Sequence, residues 1–416
     1  MTRNTLNRRR FLAATAAAGT SCLAAPLYAQ SRELVIISDR GNPDQRAALT
    51  DIANAFGREA GVRVSLNNMD HEAHKTAIRN YLVASPPDIN FWFSGERMRG
   101  FVKRGLFSDI TDLVEKNGWA DVVPAMSATT VDGRIYGLPT AGLVWGLWYR
   151  KDVFDSNGWT PPRTAEDFLS FGQNAREAGM TPIAIGTKEM WPAAGWFDHM
   201  NLRINGLDHH RALMEGRIAY TDGSLTRVTD RWAEQVKAGM FLRNETSYGW
   251  EQAAAILAQK KAAMMDLAGF IIYGFPEADR AQLRLAPFPT YDTGIGRYED
   301  FSVDSIHIPS GAKNPEVARD FLTYFYQPDR LWEYLKPDGN LPARTDIDVS
   351  SDPIMVESRK GLVGVDGTSQ YFDRDTDPDV AQAGLKGFQE FMVRPERASD
   401  ILAGIERARA RAYGPL

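Results

Sequence analysis

PPDINFWFSGERMRGFVKRGLFSDI, residues 86–110, is the stretch from which the rest of the chain is read. Asp88-Ile89-Asn90-Phe91-Trp92-Phe93 is a short, nearly unbroken apolar run opened by Pro86-Pro87, the pattern of a strand covered on both faces in a parallel sheet. The chain then turns polar at Ser94-Gly95-Glu96. From Arg97 to Gly105, Met98, Phe101 and Val102 recur at helical spacing. In open α/β sheets ligands lie beyond the carboxyl ends of the strands, so Trp92 to Arg97 is expected at a ligand. Trp92 is expected to be its floor.

The same order extends backwards. Glu33 to Ser38 reads as a first strand ending in Asp39-Arg40-Gly41-Asn42-Pro43, and Val62 to Leu66 as a second ending at Asn67 to His71. Helical segments over 45–57 and 75–83 lie between them. Strand and helix alternating in this way predict a parallel sheet with Asp39/Arg40, Asp70/His71 and Ser94 to Arg97 at one edge. Ahead of this, Arg8-Arg9-Arg10-Phe11-Leu12 and an Ala/Leu stretch ending Leu27-Tyr28-Ala29 read as a twin-arginine export signal over residues 1–29. Removing its four arginines takes the formal net charge from −5 to −9. An acidic balance without a Lys/Arg cluster argues against nucleic acid and anionic membrane surfaces as partners. The single cysteine, Cys22, lies inside the leader behind Gly19-Thr20-Ser21, a poor lipidation box, so the mature chain has no disulfide and no thiolate chemistry. The expected product is a soluble periplasmic monomer of two domains.

Near Pro139 the order changes. Val131 to Pro139 reads as a hairpin and Gly142 to Tyr149, with Trp145 inside it, as one long strand. Thr164 with Asp167 three residues on predicts a capped helix to Ala178. A second series follows: Pro182 to Gly186 as a strand, Thr187-Lys188-Glu189-Met190-Trp191-Pro192-Ala193-Ala194-Gly195-Trp196-Phe197-Asp198 as a tryptophan-rich loop, Ala262 to Leu267 as a strand and Ala268-Gly269-Phe270 as the loop beyond it. Leu283 to Pro289 crosses back, Phe301 to Pro309 is a strand, Pro315 to Tyr326 a helix, and Gly339 to Arg344 another crossing. Two helices, over 380–392 and 398–413, close the chain.

Pro87-Asp88-Ile89-Asn90-Phe91-Trp92, Gly105-Leu106-Phe107, Gly137-Leu138-Pro139 before Leu147 to Asp152, Lys261-Ala262-Ala263-Met264-Met265 and Gly339-Asn340-Leu341-Pro342-Ala343-Arg344 follow one another in an order that resembles the substrate-binding proteins of carbohydrate ABC importers, the maltose-binding-protein-like group. The resemblance implies an α/β, two-lobe periplasmic-binding-protein fold (type II), each lobe a mainly parallel sheet flanked by helices, with the ligand in the cleft between lobes. Residues 30–142 and 287–336 would form lobe 1, and 143–286 with 337–416 lobe 2. It also implies capture of a carbohydrate or sugar derivative by hinge closure and delivery to the permease of an ABC importer.

A sugar needs polar groups for its ring edges and an aromatic plane for a face. Lobe 1 offers Asp39, Arg40, Gly41, Asp70, His71, Trp92, Ser94, Gly95, Glu96 and Arg97. Lobe 2 offers Trp145, Lys188, Trp191, Gly195, Trp196 and Phe270; one of Trp191 and Trp196 is expected to face the cleft and the other to pack beneath it. Where many relatives carry Gly-Gly, this chain has Ser302 and Asp304, which suggests a smaller or more polar ligand. Arg344 and Tyr371 complete the set, and Arg40, Arg97, Lys188 and Arg344 leave room for an anionic substituent. His71 with His74 lacks a third metal ligand, and Asp373, Asp375, Asp377 and Asp379 fail a calcium loop because Pro378 stands where glycine is required. No metal, cofactor or catalytic residue is expected. The rival readings are an exported carbohydrate-active enzyme and a chemoreceptor-coupled sugar sensor.

Overall fold

A computed structural model describes residues 32–416; the expected leader, with Cys22, lies outside the described residues. Strands β1 (Glu33–Ser38), β2 (Arg63–Asn68) and β3 (Ile89–Phe93) run parallel in register, β1 between the other two. The helices between them start where their caps dictate. Asn42 accepts from the Gln45 amide ahead of Pro43–Ala60, and Asp70 accepts from the Glu72 and Ala73 amides ahead of His71–Ala84. Every residue of β3 is buried, because the strand has a neighbour on each side and helices over both faces.

The remaining strands are β4 (Thr130–Val131) and β5 (Arg134–Ile135), which pair as a small hairpin, then β6 (Leu138–Val144), β7 (Gly146–Arg150), β8 (Thr181–Ala184), β9 (Ala262–Leu267), β10 (Leu283–Ala286), β11 (Tyr298–His307), β12 (Leu341–Pro342) and β13 (Gly367–Ser369). One sheet has the order β12-β6-β11-β3-β1-β2, with β13 on the first residues of β11; the other has the order β10-β7-β9-β8. The type II two-lobe architecture is as expected, but the sheets are mixed rather than mainly parallel. Strand β11 is antiparallel to β3 and β6, and β7 is antiparallel to β9 and β10. Both are crossing strands. They enter their sheets from the cleft side, whereas the strands of the strand-helix units run towards it, so their direction is reversed.

The long strand expected over 142–149 is two strands in different sheets, parted at Trp145. Its backbone N–H donates to the Asp300 carbonyl (3.1 Å), which ties the first crossing to the start of β11. The tryptophan-rich loop is also corrected: Trp191–Asn205 is a helix with Pro192 in its first turn, where a missing N–H costs nothing. The Thr164–Asp167 capping box is present, at Ala165–Glu177.

A third crossing brings Gly339, at φ +75°, against Gly269. A Cβ on Gly269 would collide with the Gly339 carbonyl oxygen, and backbone cannot yield as a flexible side chain does. Gly269→Ala is therefore expected to lower stability by about 1–3 kcal/mol in urea unfolding, the usual cost of overpacking.

Candidate functional site

Between the two sheets lies a cleft of about 520 Å³. The first sheet contributes the ends of β1 and β3 and the N-termini of Pro43–Ala60 and His71–Ala84. The second contributes the segments after β8 and β9, the start of Trp250–Ala258, and residues 371–374.

Its floor is ionic. Arg40 donates through Nη1 to Asp304 Oδ2 (2.8 Å), and its Nε lies 3.3 Å from Asp39 Oδ1. The other Asp304 oxygen accepts from Arg374 Nη1 (2.8 Å), so one β11 carboxylate joins two arginines that lie far apart in the chain. His71 Nδ1 donates to Asp39 Oδ2 (2.9 Å). Burial alone would raise the Asp39 carboxyl, but Arg40 and His71 outweigh it and hold the group well below the usual carboxylate range. Asp373 is likewise buried, yet Lys75 (Nζ to Oδ2, 2.9 Å), Arg97 and Arg374 keep it at about 2. Asp338 takes hydrogen bonds from Tyr273 and from Asn340 Nδ2 (2.7 Å), and burial raises its carboxyl against the pull of Arg40.

Its wall is aromatic. Trp145 lies 4.4 Å from Tyr371, 5.8 Å from Phe270 and 5.9 Å from Trp191 between ring centroids, and Trp250 is 5.0 Å from Phe270. Trp145 Nε1 donates to Ser302 Oγ (3.0 Å) and Tyr371 Oη to the Trp191 carbonyl (2.5 Å), which fix the two rings.

Of the residues singled out in the sequence, Asp39, Arg40, Gly41, Asp70, His71, Trp145, Lys188, Trp191, Phe270, Asp304 and Tyr371 line this cleft. Asp70 also caps its helix. The others do not line it. Trp92 is core, not floor: it does not line the cleft but packs against His74 and Phe101, and Arg97 sits 5.2 Å from its ring. Ser94 is buried and donates to the Val303 carbonyl. Gly95 caps the next helix at φ +81° beneath Arg374 and Asp375. Glu96 is drawn away by Arg99 and Lys103. Trp196 is fully buried and donates to Gln235 Oε1 (2.8 Å). Gly195 acts on the cleft only by leaving room for Tyr371, whose hydroxyl would be 2.7 Å from an added Cβ. Ser302 holds Trp145, and Arg344 grips Asp346 with both arms and the Tyr326 carbonyl. Sequence reading missed Gln45, Lys75, Phe93, Trp250, Tyr273, Asp338, Asn340, Asp373 and Arg374. Spacing held a signal for two of these: Tyr273 follows Phe270 by three, and Arg374 follows Tyr371 by three.

Directly behind the wall lie two fully buried carboxyls, Asp198 and Asp300. Asp198 Oδ2 accepts from the Phe372 amide (2.7 Å); its other oxygen and both oxygens of Asp300 take no hydrogen bond among the described residues. Burial pushes both groups well above the ordinary carboxylate value of 3.8, with Asp300 raising Asp198 further and Arg374 only partly offsetting the rise at Asp300. The folded protein therefore holds protons that the unfolded chain releases above pH 3.8, so stability falls as pH rises from there towards the folded-state values. Asp300→Asn removes the titrating group. Its stability in urea is expected to exceed that of the parent protein at pH 8 by about 1–3 kcal/mol, because the amide has no proton to take up on folding, and the gain should shrink towards pH 4.

Residues 41–330 match the model of the family described as bacterial extracellular solute-binding protein. An uncharacterized ABC transporter extracellular-binding protein of Pyrococcus horikoshii is 25% identical over 293 residues, 68% of this chain and 64% of that relative, so the chain spans less than two thirds of its length. A probable sugar-binding periplasmic protein of Mesorhizobium japonicum is 24% identical over 286 residues, 66% of this chain and 67% of that relative. Among solved structures, the bacterial solute receptor AcbH, described as having an exclusive preference for β-D-galactopyranose, superimposes with a TM-score of 0.87 at 28% identity, covering 92% of this chain and 100% of that one. A chitin oligosaccharide binding protein shares the fold at TM-score 0.84 and 22% identity, over 91% and 98% of the two chains.

Proposed function

This chain belongs to the bacterial extracellular solute-binding protein family, and from that membership we propose that it is a periplasmic binding protein that captures a carbohydrate or sugar derivative and delivers it to the permease of an ABC importer. The observation that carries the reading is the pairing, in one cleft between two sheets, of an ionic floor with an aromatic wall. A sugar ring presents hydroxyls at its edges and C–H groups on its faces. Ion-paired carboxylates and guanidinium groups replace water at the first, and Trp145, Trp191 and Phe270 offer planes to the second. The family and the AcbH likeness support a binding role over an enzymatic one.

Lobe 1 is residues 30–142 and 287–336 and lobe 2 is 143–286 and 337–416, with β12 and β13 each pairing back onto a strand of the first sheet. Capture proceeds by closing the lobes about the crossings at Trp145, residues 287–297 and residues 336–340. Only a ligand bound more tightly by the closed form drives that change. The leader directs twin-arginine export with cleavage after Ala29, and the mature protein acts as a monomer.

Thermal-shift titration against a panel of sugars is the test. A sugar at about 100 times its Kd stabilises the native state by about 2.7 kcal/mol and raises Tm. A panel of mono- and disaccharides that leaves Tm unmoved overturns the reading, as does turnover of a sugar abolished by Arg40→Ala.

A further inference from the structure

Two buried amides in the cleft have unused hydrogen-bonding capacity. Asn340 is 3% exposed and its Nδ2 is committed to Asp338, which fixes the amide so that Oδ1 is an acceptor without a partner. Gln45 is 1% exposed, lines the cleft from the first turn of its helix, and its Nε2 is a donor without a partner. Groups this well buried are rarely left unpaired. Both line the same cleft as Asp39, Asp304 and Asp338, Gln45 from lobe 1 and Asn340 from the crossing at residues 336–340.

The charges around them are already spent. Arg40 is committed to Asp39 and Asp304, Arg374 to Asp304, and Lys75 to Asp373. Lys188, the one lining cation without a carboxylate partner among the described residues, is exposed to solvent. Arg97 and Arg344, which left room for an anion in the sequence, do not line the cleft at all. An anionic group entering beside Asn340 would meet Asp338 and Asp39 with no uncommitted cation to receive it.

We infer that the end of the ligand held between lobe 1 and the crossing at residues 336–340 is an uncharged, hydroxylated ring edge whose hydroxyls donate to Asn340 Oδ1 and accept from Gln45 Nε2, which makes Asn340 a specificity-determining residue. This rests on the carbohydrate reading above and narrows it: neutral sugars are selected over uronates of the same ring stereochemistry.

Isothermal titration of the mature protein with D-galactose, D-glucose, D-xylose, lactose and maltose, and with D-galacturonate and D-glucuronate, tests it. The expected result is binding of at least one neutral sugar and at least tenfold weaker binding of both uronates. Asn340→Ala is expected to weaken the neutral sugar ten- to hundredfold, and Asn340→Asp to weaken it at least as much, since it sets a second carboxylate beside Asp338. Gln45→Ala, at a helix position where alanine is favoured, is expected to weaken binding about tenfold with an unchanged melting temperature, and it keeps the test alive where Asn340 variants fail to fold. A uronate bound as tightly as the neutral sugar, or alanine variants that bind with parental affinity, overturns the inference while the carbohydrate reading stands. Failure of every sugar to bind overturns that reading and the inference with it.

Discussion

Arg40→Ala is expected to abolish ligand capture and to lower the stability of the ligand-free protein by about 3–5 kcal/mol, the cost of leaving buried charge without its partner. The guanidinium lies between two carboxylates that are each about 3% exposed, Asp39 and Asp304. Without it, Asp304 keeps Arg374, but Asp39 keeps only His71. The largest pull that holds the Asp39 carboxyl below its usual range is lost, so part of the damage should be relieved at low pH, where that group takes up a proton. Urea unfolding at pH 7 and at pH 4 measures both effects. Arg40→Lys retains the charge but not the fork, so it should restore part of the stability and little of the binding.

The two tryptophans five residues apart in Trp191–Asn205 should separate just as sharply. Trp196→Ala is expected to cost about 3–5 kcal/mol, because a fully buried indole is removed from among Phe168, Phe241 and Phe288 and Gln235 loses the Nε1 donor. Trp191→Ala removes a half-buried ring at the head of the helix that packs edge-on against Trp145 and Phe270 in the cleft wall. Its urea midpoint should stay close to the parent's while the affinity for the sugar identified by thermal shift falls at least tenfold. Equal losses of stability in the two variants would contradict the division of roles.

Legibility in the sequence followed the range of the interaction. Caps and turns are decided within a few residues, so the Thr164–Asp167 box and most element positions could be read directly. The faces of β3 could not. In a strand buried on both sides, Trp92 and Phe93 carry the same apolar signal, and only the fold shows that Phe93 reaches the cleft while Trp92 meets the helix behind it. Pro192 suggested a loop because proline breaks helices internally, yet in a first turn it starts one. The least legible features were the ionic ones. Asp304 meets Arg374, and Lys75 meets Asp373, across separations of 70 and 298 residues, and no local pattern announces a partner at that distance.

The placement of β11 has a consequence for biosynthesis. This strand, residues 298–307, fills the gap between β3 and β6, both of which are complete by Val144. While the ribosome makes residues 145–297, on the order of ten seconds at ordinary elongation rates, those two strands present unpaired edges and the Phe91 and Leu143 side chains to the cytosol. Those edges stay open until the last residue of β11, His307, has emerged, so the period of greatest aggregation risk ends with that strand, well before the C-terminal helices exist.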